Sequence, residues 1–267
     1  MGLVFAAIAP HGGIAIDDEV AAVTRTGMEE LGRLFDDAQP ETAIVVTPHN
    51  VHISNALGVI VAGRVAGKLD GMKPPVELDV PSDTELAWRV LDALGAAGLA
   101  VAGVSFGSND PGLAVAPMDW GVLIPLWFMG GRRVPPVRLV VVTPARDLPA
   151  SDHVTAGAAI ASAAAQVDRR VALIASADHG HAHLKDGPFG YHPGAAEYDA
   201  LVSDIIRTDQ LERLTSIDPE LVENAKADSW WQMLMLYGAT RGWRGRFISY
   251  EAPTYFGMLT AAYWPLG

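Results

Sequence analysis

The chain has 267 residues, 50% of them hydrophobic and 19% charged, and its 31 acidic and 19 basic side chains leave a formal net charge of −12. That apolar fraction supplies a large core and excludes a disordered chain, while the acidic balance repels phosphate backbones and anionic lipid, so no general affinity for nucleic acid or membrane is expected. With no cysteine there is no disulfide, thiolate ligand or cysteine nucleophile, and any bound metal must rely on nitrogen and oxygen donors.

In chain order, residues 3–9 form a short apolar run ending at Pro10-His11-Gly12-Gly13. No basic segment precedes this run, so it reads as a first buried strand and not as a signal peptide. Residues 17–37 read as a helix with Val20, Val23, Met28, Leu31 and Leu34 toward the core. A second strand, 43–47, runs into Pro48-His49-Asn50, and residues 74–82 read as a loop. Ser82-Asp83-Thr84-Glu85 has the form of a capping box ahead of an apolar stripe of Leu86, Val90, Leu91 and Leu94. The apolar run 122–129 is broken by Pro125 and falls far short of the roughly 18 residues of a membrane span.

After a turn at 130–136, a strand at 137–143 meets Pro144-Ala145-Arg146, and a helix covers 152–167. The strand 171–175 enters Ser176-Ala177-Asp178-His179-Gly180-His181, followed by helices at 195–206 and 229–239. Two strands, 246–250 and 255–262, close the chain around Ala252-Pro253. Strands that are apolar on both faces and alternate with helices imply an α/β fold. Residues 1–267 are expected to form one domain with a central, largely buried mixed sheet, flanking helices and a metal site at the strand ends. The cytoplasm is the expected location.

Six of the eight histidines collect at three strand ends: His11; His49 with His52; and His179, His181 and His183. A single histidine beside an apolar run is usually structural. Clustering changes that reading, because the ends of neighbouring strands are brought together and their donors can converge on one ion. Alternation leaves open which of residues 179, 181 and 183 faces a site. His153, in Ser151-Asp152-His153, reads as an exposed residue at a helix start.

The ordered set Pro10-His11-Gly12, Val45-Val46-Thr47-Pro48-His49, Ser176-Ala177-Asp178-His179-Gly180-His181 and Ala227-Asp228-Ser229 resembles the class III extradiol ring-cleaving dioxygenases. That superfamily includes the catalytic subunit of protocatechuate dioxygenase and, more widely, DOPA dioxygenases and the Memo proteins. The resemblance spans nearly the whole chain. It implies iron(II) ligation by His11, His49 and Asp228, with Glu223 and Glu251 as alternatives for the carboxylate, and an acid/base role for His181. Asp228 alone would also suit a helix N-cap ahead of Trp230-Trp231.

One motif departs from the family. Several relatives have Asp-His-Gly where this chain reads Asp119-Trp120-Gly121, and an indole cannot transfer a proton. Either the missing role moves to His52, His179 or His183, or the chemistry differs from that of the relatives; Trp120, His52 and His179 are taken as substrate-binding candidates. Trp120, Phe189, Tyr191, Trp230, Trp231, Tyr250 and Tyr255 are candidates to line a flat pocket.

The resemblance implies an Fe(II)-dependent extradiol dioxygenase that opens a catechol or aminophenol ring with O2. Zn(II) and Mn(II) are alternative ions. A zinc hydrolase on the same donors, or a Memo-like binding or redox protein without ring cleavage, are the competing readings. The implied partners are a small aromatic substrate and O2, and a homo-oligomer or a small partner subunit is compatible with the family. The chain has no Gly-x-Gly-x-x-Gly, so nothing points to a dinucleotide fold.

Overall fold

The computed structural model describes residues 1–16, 19–72 and 74–266. The first half of the chain runs β1 (Gly2–Ala9), α1 (Ala22–Ala38), β2 (Thr42–Val46), β3 (Leu57–Ile60), β4 (Arg64–Leu69), β5 (Val76–Pro81) and α2 (Thr84–Ala96). It continues through β6 (Val101–Val104), β7 (Val115–Pro117), α3 (Trp120–Phe128), β8 (Arg138–Thr143), α4 (Ala150–Ala165) and β9 (Arg170–Ser176). The last third comprises α5 (Gly194–Arg207), α6 (Pro219–Ala225), α7 (Trp230–Ala239), β10 (Arg244–Glu251) and β11 (Met258–Trp264).

Eight strands form one sheet in the order β10-β11-β1-β9-β2-β8-β3-β6, and β5-β4-β7 form a second, smaller sheet. The large sheet is mixed. β1, β9, β2 and β8 run parallel at its centre, while β11 is antiparallel to β1 and β3 is antiparallel to β8.

Successive residues of the central strands serve opposite layers, as the period of two requires. Ala6 and Ile8 of β1 join a layer with α2, α4, α5 and α7, whereas Phe5, Ala7 and Ala9 join a layer with α1, α3 and the small sheet. This explains why the strands read as unbroken apolar runs: both faces are covered. No helix among the described residues is long and apolar enough to cross a membrane.

Several local expectations are corrected. Residues 17 and 18, with which the first expected helix begins, lie outside the described residues, and α1 starts at Ala22. Met28 and Leu31 are buried, but Val20 precedes the helix and both it and Val23 are exposed. The stretch 74–82 is not all loop. Val76, Leu78 and Val80 point inward while Glu77 and Asp79 point outward, giving β5, whose flanking prolines hide the alternation.

The cap of α2 is Asp83, which accepts from the Leu86 amide at 3.1 Å, and Ser82 is still bridged to Leu139. Glu85 is drawn away to Arg169 and Arg89, so no capping box closes. The last strand starts at Met258, leaving residues 252–257 as a loop. His153 is fully buried and not exposed, because α4 begins at Ala150 and turns this residue inward, where it pairs through Nδ1 with the Pro149 carbonyl at 3.0 Å.

Candidate metal centre

Parallel pairing places Ile8 level with Ala175, and Ala175 level with Val46, so the C-terminal ends of β1, β9 and β2 stand side by side. His11 leaves the first of these ends, Asp178 the second and His49 the third. The start of α7 brings Asp228 over the same point. The N-cap of α7 is Ser229, and it makes no side-chain capping bond, so Asp228 is free of a capping role.

The donor atoms converge. His11 Nε2 lies 3.0 Å from His49 Nε2, and Asp228 Oδ2 lies 3.2 Å from His49 Nε2 and 3.5 Å from His11 Nε2. Three donors bound at about 2.1 Å to one ion are separated by about 3.0 Å at right angles and about 3.4 Å at tetrahedral angles. The triangle therefore fits one small divalent cation. Asp228 Oδ1, fully buried, has no hydrogen-bond partner, as expected of a carboxylate shaped for an ion. His11, His49 and Asp228 are the one such group of His, Asp and Glu found among the described residues. Glu223 instead meets Lys226 at 2.5 Å, and Glu251 accepts from the Thr24 amide.

Neighbouring groups set the ring orientations. Ser176 Oγ donates to the Gly121 carbonyl at 2.5 Å and so accepts from His11 Nδ1–H at 2.9 Å, which leaves Nε2 of His11 for an ion. Asp119 accepts from Thr47 Oγ at 2.9 Å, from the Asn50 amide group at 2.9 Å and from the Val122 N–H that starts α3. It thereby ties the His49 loop to the helix that presents Trp120. Gly121 must lack a Cβ here, since one would run into the Thr47 hydroxyl.

Electrostatics follow from burial. Desolvation disfavours a charged His11, but the carboxylates of Asp178 and Asp228 outweigh it and raise its pKa to about 9. Burial also works against the Asp228 carboxylate, yet His11 and His49 hold it well below the usual carboxylate range. Asp178 is pushed upward, chiefly by burial, against the pull of His11.

Sequence reasoning missed Asp178 as a site residue. It is 3% exposed, accepts the His11 backbone N–H at 2.9 Å through Oδ1, and holds Oδ2 at 3.5 Å from His11 Nε2. Its signal is the aspartate inside the Ser-Ala-Asp-His motif, which no spacing rule singles out.

The donors open onto a cavity of about 930 Å³. His181 lines it, with its Nδ1–H donating to the His179 carbonyl at 2.8 Å and its ring stacked on Phe256 at 5.5 Å, so Nε2 is the atom left free. Trp120 is 48% exposed, lines the cavity and lies against His49 at 4.4 Å. Phe189, Trp231 and Tyr255 also line it, whereas Tyr191, Trp230 and Tyr250 do not. Phe256 is a wall residue that no motif singles out.

His179 and His52 are not brought to the cavity. His179 is fully buried and pairs through Nδ1 with Ser229 Oγ at 3.0 Å, and His52 is exposed. His183 pairs with Asp199 at 2.9 Å. The loop turns all three ways because Gly180 is pressed against Ala195 of α5, with its N–H donating to Asp199 at 2.7 Å.

Comparisons with known proteins bear on the same residues. The family described as the catalytic LigB subunit of aromatic ring-opening dioxygenase matches residues 8–259. Protein CA_C1420 of Clostridium acetobutylicum is 23% identical over 258 residues, an alignment covering 91% of this chain and 52% of that protein. The chain thus spans about half the length of that curated relative. The crystal structure of the uncharacterized protein JW3007 from Escherichia coli K12 is similar in fold, with a TM-score of 0.64 at 18% identity, covering 97% of this chain and 99% of that one. The match over residues 8–259 takes in His11, His49, Asp178, His181 and Asp228, and the chain belongs to the family of the catalytic LigB subunit of aromatic ring-opening dioxygenases.

Proposed function

We propose that the chain is a non-haem iron(II)-dependent extradiol dioxygenase that opens a catechol or aminophenol ring with O2. The observation that carries this reading is the triangle of His11 Nε2, His49 Nε2 and Asp228 Oδ2, with sides of 3.0 to 3.5 Å, facing a cavity large enough for an aromatic substrate. A divalent iron held by His11, His49 and Asp228 would supply a place where a catechol and dioxygen are activated together.

The protein's own residues supply orientation and proton handling. Trp120 and Phe256 flank the donors with flat apolar faces that restrict how a ring can enter. His181, anchored through Nδ1 and stacked on Phe256, holds Nε2 where it would accept a hydroxyl proton from the substrate and later return it. Asp178 keeps His11 in place through the backbone and adds negative charge beside the donors.

The test is anaerobic reconstitution with iron or zinc, followed by exposure to O2 and a catechol panel monitored for a coloured ring-fission product. Turnover with iron and none with zinc supports the dioxygenase. Ester or amide hydrolysis with zinc, without O2 uptake, replaces it with the hydrolase.

A further inference from the structure

The ring of His181 is anchored on one peptide group, and that group has a second partner. The His179 carbonyl accepts from His181 Nδ1–H at 2.8 Å, while the N–H of the same peptide unit, that of Gly180, donates to Asp199 Oδ1 at 2.7 Å. A single amide therefore separates a carboxylate from the ring nitrogen opposite Nε2. Asp199, on α5, is 2% exposed and meets no lysine or arginine within salt-bridge distance among the described residues. Its Oδ2 accepts from His183 Nε2–H at 2.9 Å and from the Tyr250 hydroxyl at 2.7 Å. Burial and the Asp199 charge push the Tyr250 phenol upward, so it stays a donor.

The backbone makes room for this carboxylate. A Cβ at Gly257 would run into Oδ2, and one at Gly180 would crowd Oδ1. The Gly257 N–H donates to the Gly180 carbonyl at 3.0 Å and the His179 N–H to the Gly257 carbonyl at 2.8 Å, so the glycine cradle also fixes the peptide that Asp199 meets. A charged acceptor on an amide N–H polarises the peptide and makes its carbonyl a stronger acceptor, since hydrogen bonds in a chain strengthen one another. A stronger carbonyl holds the proton on Nδ1 and leaves the Nε2 lone pair facing the cavity.

Other charged or titratable groups face His181. Asp178 and Asp228 act on it electrostatically, as does His179, while Glu223 and Lys226 of α6 share its cavity and the Tyr255 ring lies 5.9 Å away. None of these side chains is hydrogen-bonded to the His181 ring among the described residues, whereas Asp199 reaches Nδ1 through one peptide.

We propose that Asp199 is a positioning residue for His181, acting through the His179–Gly180 peptide to keep the proton on Nδ1 and Nε2 open to substrate. The acid/base use of Nε2 rests on the function proposed above. The state of the ring does not, and it is read without metal or turnover.

Long-range ¹H–¹⁵N NMR of the full chain, with the His181 ring identified by its loss in His181→Gln, shows which nitrogen carries the proton. The native ring, when neutral, is expected to be protonated at Nδ1, and a native ring protonated at Nε2 overturns the proposal without any variant. Asp199→Asn keeps an acceptor for the Gly180 N–H but no charge. It is expected to mix the two tautomers and to weaken proton binding by the ring at least about three-fold. Tyr250→Phe removes a donor to the same carboxylate, leaves the peptide relay in place and is expected to keep the native ring state. An unchanged ring in Asp199→Asn, or an equal change in Tyr250→Phe, overturns the proposal. With iron and a catechol, Asp199→Asn is expected to lower kcat at native KM and metal content and to move the ascending limb of the pH profile to lower pH. Ring cleavage with a native profile in Asp199→Asn sinks the Asp199 role and leaves the dioxygenase standing. The expected NMR change in a chain that opens no catechol does the reverse.

Discussion

The Nε2 atoms of His11 and His49 stand 3.0 Å apart with their rings almost perpendicular, although the two residues leave strands separated by β9. Two nitrogen lone pairs at that distance repel each other unless a proton or a cation lies between them. The fold holds them there by covering β1, β9 and β2 on both faces, so the strand ends cannot drift apart without disturbing the core. His11→Ala and Asp228→Ala are accordingly expected to purify without stoichiometric metal, measured by elemental analysis of reconstituted protein. Glu223→Gln and Glu251→Gln are expected to keep it.

Ser176 is expected to act through His11. Removing its hydroxyl frees the Nδ1 side of the ring and leaves the Gly121 carbonyl without its donor. Loss of such a partner typically weakens metal affinity by roughly 10- to 100-fold. A chelator competition on Ser176→Ala reads this directly, and native affinity would show that packing alone orients the ring.

His181→Gln separates ion binding from proton handling. The variant is expected to hold native metal content while kcat falls by roughly 10²- to 10⁴-fold, the usual worth of a positioned acid/base. The bond from Nδ1 to the His179 carbonyl makes Nε2 the working atom. If His179→Gln shows that pattern and His181→Gln does not, the loop presents its histidines differently from the arrangement described.

Trp120→Ala tests what the indole does in place of a histidine. It removes a ring that lines the cavity beside His49, and stacking of such a ring on a bound aromatic is worth about 0.5–1.5 kcal/mol beyond its buried area, or roughly a two- to ten-fold effect. KM is expected to rise by that factor with metal content unchanged. A collapse of kcat at constant KM would give Trp120 a part in the chemical step.

His153 gives a pH dependence away from the metal centre. Burial lowers its pKa from 6.5, against weaker upward pulls from the Pro149 carbonyl and nearby carboxylates. The unfolded chain therefore binds the proton first, and the stability this neutral histidine contributes is lost as pH falls below about 6.5. Urea unfolding of the native chain and His153→Leu at pH 7.5 and 5.5 checks the sign. The variant should lose less stability than the native chain between those values, at a cost of about 1 kcal/mol at pH 7.5 for the missing bond to Pro149.

Much of the site is legible in the sequence because it sits where apolar runs stop. His11, His49 and His181 each follow a strand whose burial on both faces leaves the polar residue at its end as the first group free to do chemistry. Less legible are features set by tertiary packing. β5 is hidden between prolines, β3, β6 and β7 are too short to stand out from their surroundings, and β4 carries the exposed Arg64 and Lys68 in place of an unbroken apolar run. The choice of His181 over His179 depends on Gly180 meeting α5, which no local pattern encodes. Asp178 follows a strand as His11 does, but its partner, His11, is distant in sequence and known only once the sheet order is known.

The most direct test of a ring-opening dioxygenase at His11, His49 and Asp228 is the fate of labelled oxygen. The iron-loaded chain is given a catechol under ¹⁸O₂ and the product is examined by mass spectrometry, with Asp228→Ala as the control. The expected result is a ring-opened acid carrying both labelled atoms, formed by the native chain and absent from the variant. A product with no label, or equal product from Asp228→Ala, would contradict the assignment of this centre and its reaction.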